Sequence, residues 1–220
     1  MAQPDYQLFA FWRSSATYRV RVALALKGLS AEEHYIDLDA GDQLGNDFLK
    51  INPLGAIPAL IIPGQPPLTQ SLAILEYLDE TVPNPPLLPA DPLGRARVRS
   101  IAAALAADTH PLIVPRVRQY LTTTGGFDLA AWRAWQIKWF TTGLQGLEVR
   151  LATETSTGTY CHGDQVTIAD ILLMSLVAVM RVFKISAANT PTIDRIVALC
   201  ETHEAFANAH PLRQEGAPAP

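Results

Sequence analysis

The sequence predicts a two-domain protein in which a small α/β domain is followed by an all-α domain. Three observations support this prediction. Short apolar runs alternate with helical patterns over residues 1–81, prolines crowd residues 82–93, and Ala- and Leu-rich helical periodicity dominates residues 94–214. The chain of 220 residues is long enough for two domains that each bury most of their apolar surface. Residues 215–220 are predicted to form a flexible tail.

The elements of the first domain follow from local patterns. Residues 6–11 form a short apolar run that predicts a strand. A helix is predicted from Ser14 to Lys27, because Ser14 can cap the free amides at its start and Gly28 follows its last turn. The remaining predicted elements are strands over 34–38, 59–62 and 68–69 and helices over 43–51 and from residue 71 onward. The order β-α-β-α-β-β-α is that of a thioredoxin-like domain.

The linker and the second domain are defined by the distribution of proline. The segment VPNPPLLPADPL, residues 82–93, carries five prolines, which is too many for a helix or a central strand. Beyond it no convincing strand pattern occurs. Thr167 and Asp170 have the spacing of a capping box at the start of an apolar helix. The predicted helices cover about 94–123, 128–154, 167–183 and 191–208.

Charge and composition exclude several classes of partner. The net charge is −4 and 17% of the residues are charged, with no basic cluster dense enough to follow a phosphate backbone. The nearest candidate, Arg95, Arg97 and Arg99, alternates with small residues and is interpreted as a solvated helix face. No apolar run reaches the length of a membrane span. We therefore expect no nucleic-acid partner and no membrane partner.

The cysteines and the N-terminal residues bear on the cellular compartment. Cys161 and Cys200 are far apart in sequence and lack metal-ligand spacing, so neither a disulfide framework nor a metal site is expected. The first residues, MAQPDYQLFAFWR, lack the features of an export signal. The sequence therefore predicts a cytoplasmic protein with buried structural thiols.

Three segments in one order carry a family resemblance. They are FWRSSATYRVRVALALKG, NPLGAIPALI and TQSLAILEYL, and together they resemble the glutathione transferases. The first is similar to the zeta-class signature Ser-Ser-Cys-x-Trp-Arg-Val-Arg, and that class includes maleylacetoacetate isomerase. A bacterial group of glutathione-dependent maleylpyruvate isomerases has a similar opening. The resemblance implies the glutathione transferase architecture, glutathione as cofactor and a homodimer.

The resemblance assigns the thiol and the backbone of glutathione to three places. Ser14 matches the hydroxyl that hydrogen-bonds the glutathione sulfur, at a helix start where negative charge is favoured, and Ser15 adds a donor nearby. Ile57-Pro58 matches the pair whose peptide bond is cis and whose first residue pairs with the cysteinyl part of glutathione. Two plain alternatives stay open. Ser14 alone fits an N-cap, and Pro58 alone fits a proline that begins a strand.

The remaining glutathione contacts implied by the resemblance lie in both domains. Gln70 and Ser71 stand at another helix start, which suits the γ-glutamyl carboxylate. Gln43, on a loop shorter than its zeta counterpart, is the candidate for the glycyl end. His110 matches a position where zeta relatives offer Gln or His to glutathione. A satisfied polar residue on a helix is the alternative for His110.

Arginines are the candidates for binding the carboxylates of a small electrophilic acid. Arg13 directly precedes Ser14, and Arg116 matches a position that the maleylpyruvate group uses for substrate carboxylates. Arg181 is a third candidate, although it is offset by one residue because the usual Arg-Phe-Lys reads Val182-Phe183-Lys184 here. A second departure is Ala16, which replaces the cysteine of the zeta signature.

Three functions follow from these residues. The first is a zeta-like enzyme that isomerises maleylacetoacetate or maleylpyruvate, or that acts as a transferase on small electrophilic acids. The second is a general glutathione transferase that conjugates or dehalogenates xenobiotics. The third, from another class, is a non-catalytic binding module that keeps the fold and carries ligands.

Overall fold

The computed structural model describes residues 6–219 and divides the chain into two compact units. The first unit runs to Leu87 and also includes the segment from Thr202 onward, whereas the second is Leu88–Glu201. Residues 1–5 and residue 220, which the sequence assigns to the first domain and to the tail, lie outside the described residues. This division differs from the predicted boundaries at 81, 93 and 214, because the chain returns to the first unit after its last long helix.

The first unit contains one four-stranded sheet with helices packed against it. Its strands are β1 (Tyr6–Ala10), β2 (Ala31–Tyr35), β3 (Ala59–Ile61) and β4 (Leu68–Thr69), in the order β2-β1-β3-β4. Strands β1 and β2 are parallel, and the other two pairs are antiparallel. The helices are α1 (Ser15–Leu26), α2 (Asn46–Ile51) and α3 (Ser71–Thr81), with a 3-10 turn at Asp42–Leu44. This arrangement confirms the predicted thioredoxin-like domain.

Strand β2 lies three residues earlier than predicted, at 31–35 instead of 34–38. The sequence AEEHY has no apolar alternation, because β2 is an edge strand whose two glutamates are exposed. Arg21 on α1 holds this edge through Nε and Nη2, which contact the Glu33 carboxylate at 2.8 and 2.7 Å. The prediction followed Ile36 and Leu38, which lie beyond the end of the strand.

A buried ion pair lies in the core of the first unit. The Nζ atom of Lys27, at the end of α1, lies 2.7 Å from Oδ1 of Asp79 on α3, and their side chains are 0% and 9% exposed. The same Asp79 oxygen accepts the backbone N–H of Leu87 at 2.7 Å, and Lys27 also donates to the carbonyl of Pro85. The pair therefore joins α1, α3 and the proline-rich segment around apolar side chains that are fully buried.

The second unit is all-helical, as predicted. Its helices are α4 (Pro92–Ala103), α5 (Pro115–Thr123), α6 (Leu129–Thr153), α7 (Ile168–Val182) and α8 (Pro191–Glu201). Between α4 and α5 lie a π-helical turn (Ala104–Thr109) and a 3-10 turn (His110–Ile113). Helix α7 is its centre, since every residue from Ile168 to Met180 is buried. At its start the carboxylate of Asp170 accepts the backbone N–H of Thr167 at 2.8 Å, which confirms the capping box.

Three features of the helical part differ from the sequence-based expectations. Pro92, counted in the linker, is the first residue of α4, where a missing N–H costs no helical bond, and Asp91 caps that helix. The predicted helix over 191–208 is interrupted, and α9 (Glu204–Asn208) lies in the first unit, followed by a 3-10 turn at Pro211–Arg213. Arg97 is not solvated, because its guanidinium binds Glu154 at 2.5 Å and the carbonyl of Cys161 at 2.6 Å.

The returning segment packs on α1. The Tyr18 hydroxyl donates to the carbonyl of Phe206 at 3.4 Å, and Tyr18 and Phe206 are each 2% exposed. Gly216 lies against the ring of Tyr35, since a Cβ added there would stand 2.3 Å from that ring. Over residues 6–219, no helix combines the length and the apolar character that crossing a bilayer requires.

Candidate active site at two helix N-termini

Ser14 is the N-cap of α1 and stands at the end of the turn that follows β1. Its Oγ atom accepts the backbone N–H of Thr17 at 3.2 Å, so the capping interpretation is correct. This bond uses a lone pair of Oγ and leaves the hydroxyl proton for another acceptor. The remaining unpaired amides of the first turn and the helix dipole favour an anion at the same place. The capping role and the predicted role toward a thiolate are therefore compatible.

The two residues after Ser14 are less accessible than it is. Ser15 is 3% exposed and Ala16 is 8% exposed, whereas Ser14 is half-buried. A donor role for Ser15 consequently stays a prediction that its burial does not favour. Ala16 places a methyl group where the zeta signature has a thiol, so this position supplies no second sulfur to the site.

Arg13 lies beside Ser14 and already has a carboxylate partner. Its Nη2 atom is 2.5 Å from Oδ1 of Asp39, and the two side chains are 22% and 50% exposed. The guanidinium carbon also lies 5.3 Å and 5.4 Å from the ring centroids of Phe11 and Trp12. These contacts hold the cation on an aromatic platform next to the start of α1. Sequence reasoning missed Asp39, since nothing in the pattern of the following loop distinguishes it from Asp37 or Asp42.

Gln70 and Ser71 form the second helix start. Gln70 has φ 68° and ψ 110°, a left-handed conformation that is rare for a residue with a side chain, and α3 begins at the next residue. Strain of this kind is typical of functional sites, where surrounding structure enforces it. Ser71 is 5% exposed, and its Oγ atom accepts a hydrogen bond from Nη1 of Arg19 at 3.0 Å. This bond ties the start of α3 to α1.

Arg19 is a second residue beside the candidate site that the sequence analysis did not single out. It is 2% exposed, and burial lowers the pKa of its guanidinium to about 9, so it keeps its charge at neutral pH. The bond to Ser71 places this positive charge at the first residue of α3, where the γ-glutamyl carboxylate is expected. A detectable signal existed in the sequence, because Arg19 falls among the apolar residues of α1 that face the core.

The predicted pair Ile57-Pro58 precedes β3, and the predicted Gln43 lies in the loop after β2. The Ile57-Pro58 peptide bond is cis, as the resemblance implies, and β3 begins at the next residue. Gln43 lies in the 3-10 turn at Asp42–Leu44. Its Oε1 atom is buried and has no hydrogen-bond partner within the part of the chain that the structure describes. Buried polar atoms normally have partners, so this side chain is suited to a bound polar molecule.

The three candidates in the second unit lie on separate elements. His110 begins the 3-10 turn after the π-helical turn and is half-buried, and Arg116 lies exposed in the first turn of α5. Arg181, near the end of α7, forms an ion pair with Glu201 of α8. Like Arg13, it would have to exchange this partner for a substrate carboxylate, and its substrate role stays a prediction. The end of α7 is instead capped by Arg133, whose Nη2 donates to the carbonyl of Lys184 at 2.8 Å.

Comparison with known proteins identifies relatives of this chain. The model of the glutathione S-transferase N-terminal domain matches residues 4–80. The chain is 39% identical over 208 residues to maleylpyruvate isomerase from a Ralstonia species, covering 94% of this chain and 98% of that protein.

Two solved structures have the same fold over nearly their whole length. One is maleylacetoacetate isomerase from Methylobacterium extorquens AM1 with bound malonate and glutathione, at a TM-score of 0.95 and 51% identity, covering 97% of this chain and 100% of that one. The other is a holo maleylpyruvate isomerase, a bacterial zeta-class glutathione S-transferase, at a TM-score of 0.92 and 38% identity, covering 96% and 100%.

Proposed function

The chain belongs to the glutathione transferase family, and we propose from this membership and from its site that it is a glutathione-dependent cis-trans isomerase of maleylacetoacetate or maleylpyruvate. The family is established by a relative and a solved structure that each match this chain over nearly their whole length. The observation that carries the proposal is Ser14, whose hydroxyl caps α1 and keeps a proton to donate. Its neighbour Arg13 supplies the positive charge that an acidic substrate needs.

The residues of the first unit fit glutathione. The orphaned amide oxygen of Gln43 and the strained backbone of Gln70 are both features that a bound polar ligand explains. Gln70 and Ser71 would hold the γ-glutamyl end at the N-terminus of α3, beside the charge of Arg19. Ile57 would pair through its backbone with the cysteinyl part, and Gln43 would bind the glycyl end.

In the proposed reaction, this chain stabilises the thiolate of glutathione and the negative charge of the substrate. Glutathione, when bound, supplies a thiolate that turns the cis double bond of the substrate temporarily into a single bond that can rotate. The Ser14 hydroxyl would donate to that sulfur and lower the pKa of the thiol, with the dipole of α1 acting in the same direction. Arg13 would bind a substrate carboxylate and stabilise negative charge that develops beside it, and Arg116 stays the further carboxylate-binding candidate that the resemblance implies.

The second candidate is a transferase that conjugates small electrophilic acids. Ala16 favours it, because the class signature has a cysteine at that position and its loss alters substrate handling more than thiol activation. Both candidates need the same glutathione site, so they differ only in the electrophile. The other two alternatives are a general xenobiotic transferase and a non-catalytic ligand carrier.

A parallel assay with reduced glutathione separates these functions. Maleylacetoacetate, maleylpyruvate and a chloroaromatic compound are offered to the same enzyme preparation, with and without glutathione. We expect glutathione-dependent isomerisation of a maleyl acid, without net consumption of glutathione. Conversion of a maleyl acid with loss of free thiol would support the transferase on small electrophilic acids, and conversion of the chloroaromatic alone would support the general xenobiotic transferase. If the protein shows neither turnover nor heat of glutathione binding, the non-catalytic ligand carrier is the function that fits the result.

The proposal also includes the oligomeric state and the cellular compartment of the protein. We propose a homodimer, as the family resemblance implies, and sedimentation velocity at micromolar concentration tests it against a monomer. We also propose residence in the cytoplasm. The support is the pair of buried free thiols, Cys161 and Cys200, because disulfides are rare in reducing compartments.

A further inference from the structure

The C-terminal turn, residues 214–217, is anchored to the end of α9 by one side chain. Nε2 of Gln214 donates to the carbonyl of Asn208 at 2.7 Å and to the carbonyl of His210 at 3.0 Å. The chain then reverses, because the N–H of Ala217 donates to the carbonyl of Gln214 at 3.1 Å. The C-terminal turn is therefore held in one place on the first unit.

Gly216, within this turn, lies directly against the side chain of Tyr35, the last residue of β2. A Cβ added to Gly216 would stand 2.3 Å from Cε2 and 2.5 Å from Oη of Tyr35. Gly216 also has φ 81°, a backbone conformation that residues with a side chain rarely adopt. Both the contact and the backbone conformation therefore require glycine at this position.

The ring of Tyr35 packs in turn on the aromatic platform of Arg13. The ring centroids of Tyr35 and Phe11 are 5.8 Å apart, and the guanidinium carbon of Arg13 lies 5.3 Å from the Phe11 centroid. Burial raises the pKa of the Tyr35 hydroxyl, the nearby carboxylates raise it further and the Arg13 guanidinium lowers it, so Tyr35 stands among the charges around Arg13. Phe11 is 1% exposed, and close-packed side chains of this kind transmit a displacement to their neighbours.

A second glycine of the first unit has a similar backbone conformation without the contact. Gly64, in the turn between β3 and β4, has φ 74°, and a Cβ added there meets no atom of residues 6–219 within 4 Å. Alanine at either position adopts an unfavourable positive φ, but only at Gly216 does it also collide with Tyr35. Gly64 therefore separates the backbone effect from the effect of the contact.

We propose that the C-terminal turn positions Arg13 for a substrate carboxylate by holding Tyr35 against the platform on which the guanidinium lies, with Gly216 as the positioning residue. The inference rests on the proposed function, because it takes Arg13 as a residue that binds a carboxylate of the substrate. It predicts that a displaced turn weakens binding of the acid and leaves glutathione binding and the chemistry of Ser14 unchanged.

The first test compares Gly216→Ala with its matched control Gly64→Ala. Both variants are titrated by calorimetry with succinate at saturating glutathione, since succinate has two carboxylates but lacks the double bond of the substrate. The dissociation constant for succinate should rise about three- to tenfold in G216A, as expected when roughly one hydrogen bond is lost. The G64A variant should bind succinate like the wild type. Equal dissociation constants for the two variants would overturn the proposal.

Steady-state kinetics gives a second readout that a merely structural role would not produce. The KM for the maleyl acid should rise in parallel in G216A, while kcat and the KM for glutathione stay at their wild-type values. An equal rise in both KM values would indicate general loosening of the first unit and would overturn the inference.

Two backgrounds show whether the effect passes through Tyr35 and Arg13. In Tyr35→Ala, which lacks the colliding ring, adding G216A should change the dissociation constant for succinate no further. In Arg13→Ala, which should itself bind succinate more weakly, adding G216A should likewise have no effect. A full additional loss in either background would overturn the proposal.

The same titrations distinguish a failure of this inference from a failure of the proposed function. An Arg13→Ala variant with wild-type affinity for succinate, or a wild-type protein that binds no succinate, would overturn the inference and leave glutathione-dependent isomerisation standing. Absence of isomerisation by a wild-type protein that binds succinate would instead defeat the proposed function.

A folding failure of G216A does not end the test. A chain that ends at Arg213 lacks the C-terminal turn, and a chain that ends at Pro218 keeps it and serves as the control. The shorter chain should show the raised dissociation constant for succinate and the longer one the wild-type value. Equal values for the two chains would overturn the proposal.

Discussion

Ser14→Ala is the variant that tests the site most directly, because it removes two hydrogen bonds of different kinds. The first is the capping bond from the N–H of Thr17 at 3.2 Å. Its loss should cost about 1 kcal/mol of stability, which lowers the melting temperature of a protein of this size by about 2–4 °C. The second is the bond that we propose from the hydroxyl to the thiolate of glutathione.

The second loss sets the size of the catalytic effect. A hydrogen bond to a charged group contributes about 1.5–3 kcal/mol. Since 1.36 kcal/mol corresponds to about one pKa unit, the pKa of the bound thiol should rise by roughly 1–2 units. Below that pKa the thiolate fraction, and with it the rate, should fall roughly 10- to 150-fold. The activity should recover as the pH rises, because alkali then supplies the thiolate.

The measurement follows thiolate absorbance of bound glutathione and kcat across pH. Asp128→Ala is the matched control, since Asp128 caps α6 by accepting the N–H of Ala131 at 2.8 Å and its loss imposes a similar stability cost. This control should lose stability and keep its pH profile. A Ser14→Ala enzyme with unchanged kcat and an unchanged thiol pKa would refute the reasoning and would direct attention to Ser15.

Three further predictions concern charges and thiols. Asp39→Asn frees Arg13 for a substrate carboxylate, so the KM for the maleyl acid should fall by up to about fivefold at low ionic strength. This modest factor is the one expected for a half-exposed ion pair. Asp47→Asn is the control with the same change of net charge, and a raised KM for Asp39→Asn would contradict the prediction. Lys27→Met leaves the carboxylate of Asp79 buried without its cation and should cost about 3–5 kcal/mol in urea unfolding, so a loss below about 1 kcal/mol would contradict it. Burial raises the pKa of both cysteine thiols, so native protein at mildly alkaline pH should resist alkylation until it is unfolded, and rapid stoichiometric labelling would be the opposing result.

The parts of the fold that the sequence predicts are those encoded by local signals. Helix α1 begins immediately after its serine cap, and α7 begins after a threonine whose partner Asp170 stands three residues on. Strand β2 could not be placed in the same way, because an edge strand with two glutamates lacks the apolar alternation that predicts a strand. Its position is instead determined by pairing with β1, a contact between residues distant in sequence.

The same distinction between local signals and long-range contacts applies to the residues of the candidate site. Ser14, Ile57-Pro58 and Gln70-Ser71 could be predicted because each is a short motif at a recognisable element boundary. Asp39 could not, because its importance comes from its partner on another element, and for Arg19 the sequence indicates burial among apolar residues of α1 without indicating its partner Ser71. The π-helical turn at Ala104–Thr109 is likewise not marked by a local motif in the sequence, although it lies against α6, where a Cβ on Gly143 would stand 2.4 Å from Oγ1 of Thr109.

The return of the chain to α1 affects the order in which the protein can be completed during synthesis. The ribosome delivers α1 early, but the residues that cover it, around Phe206, emerge only after the whole second unit has been made. Until then Tyr18 and its apolar neighbours on α1 remain exposed to solvent as an apolar surface. A fragment that stops after α3 would keep this face permanently, so an isolated thioredoxin-like domain of this protein should recruit chaperones or aggregate unless the α9 segment is grafted back on to it.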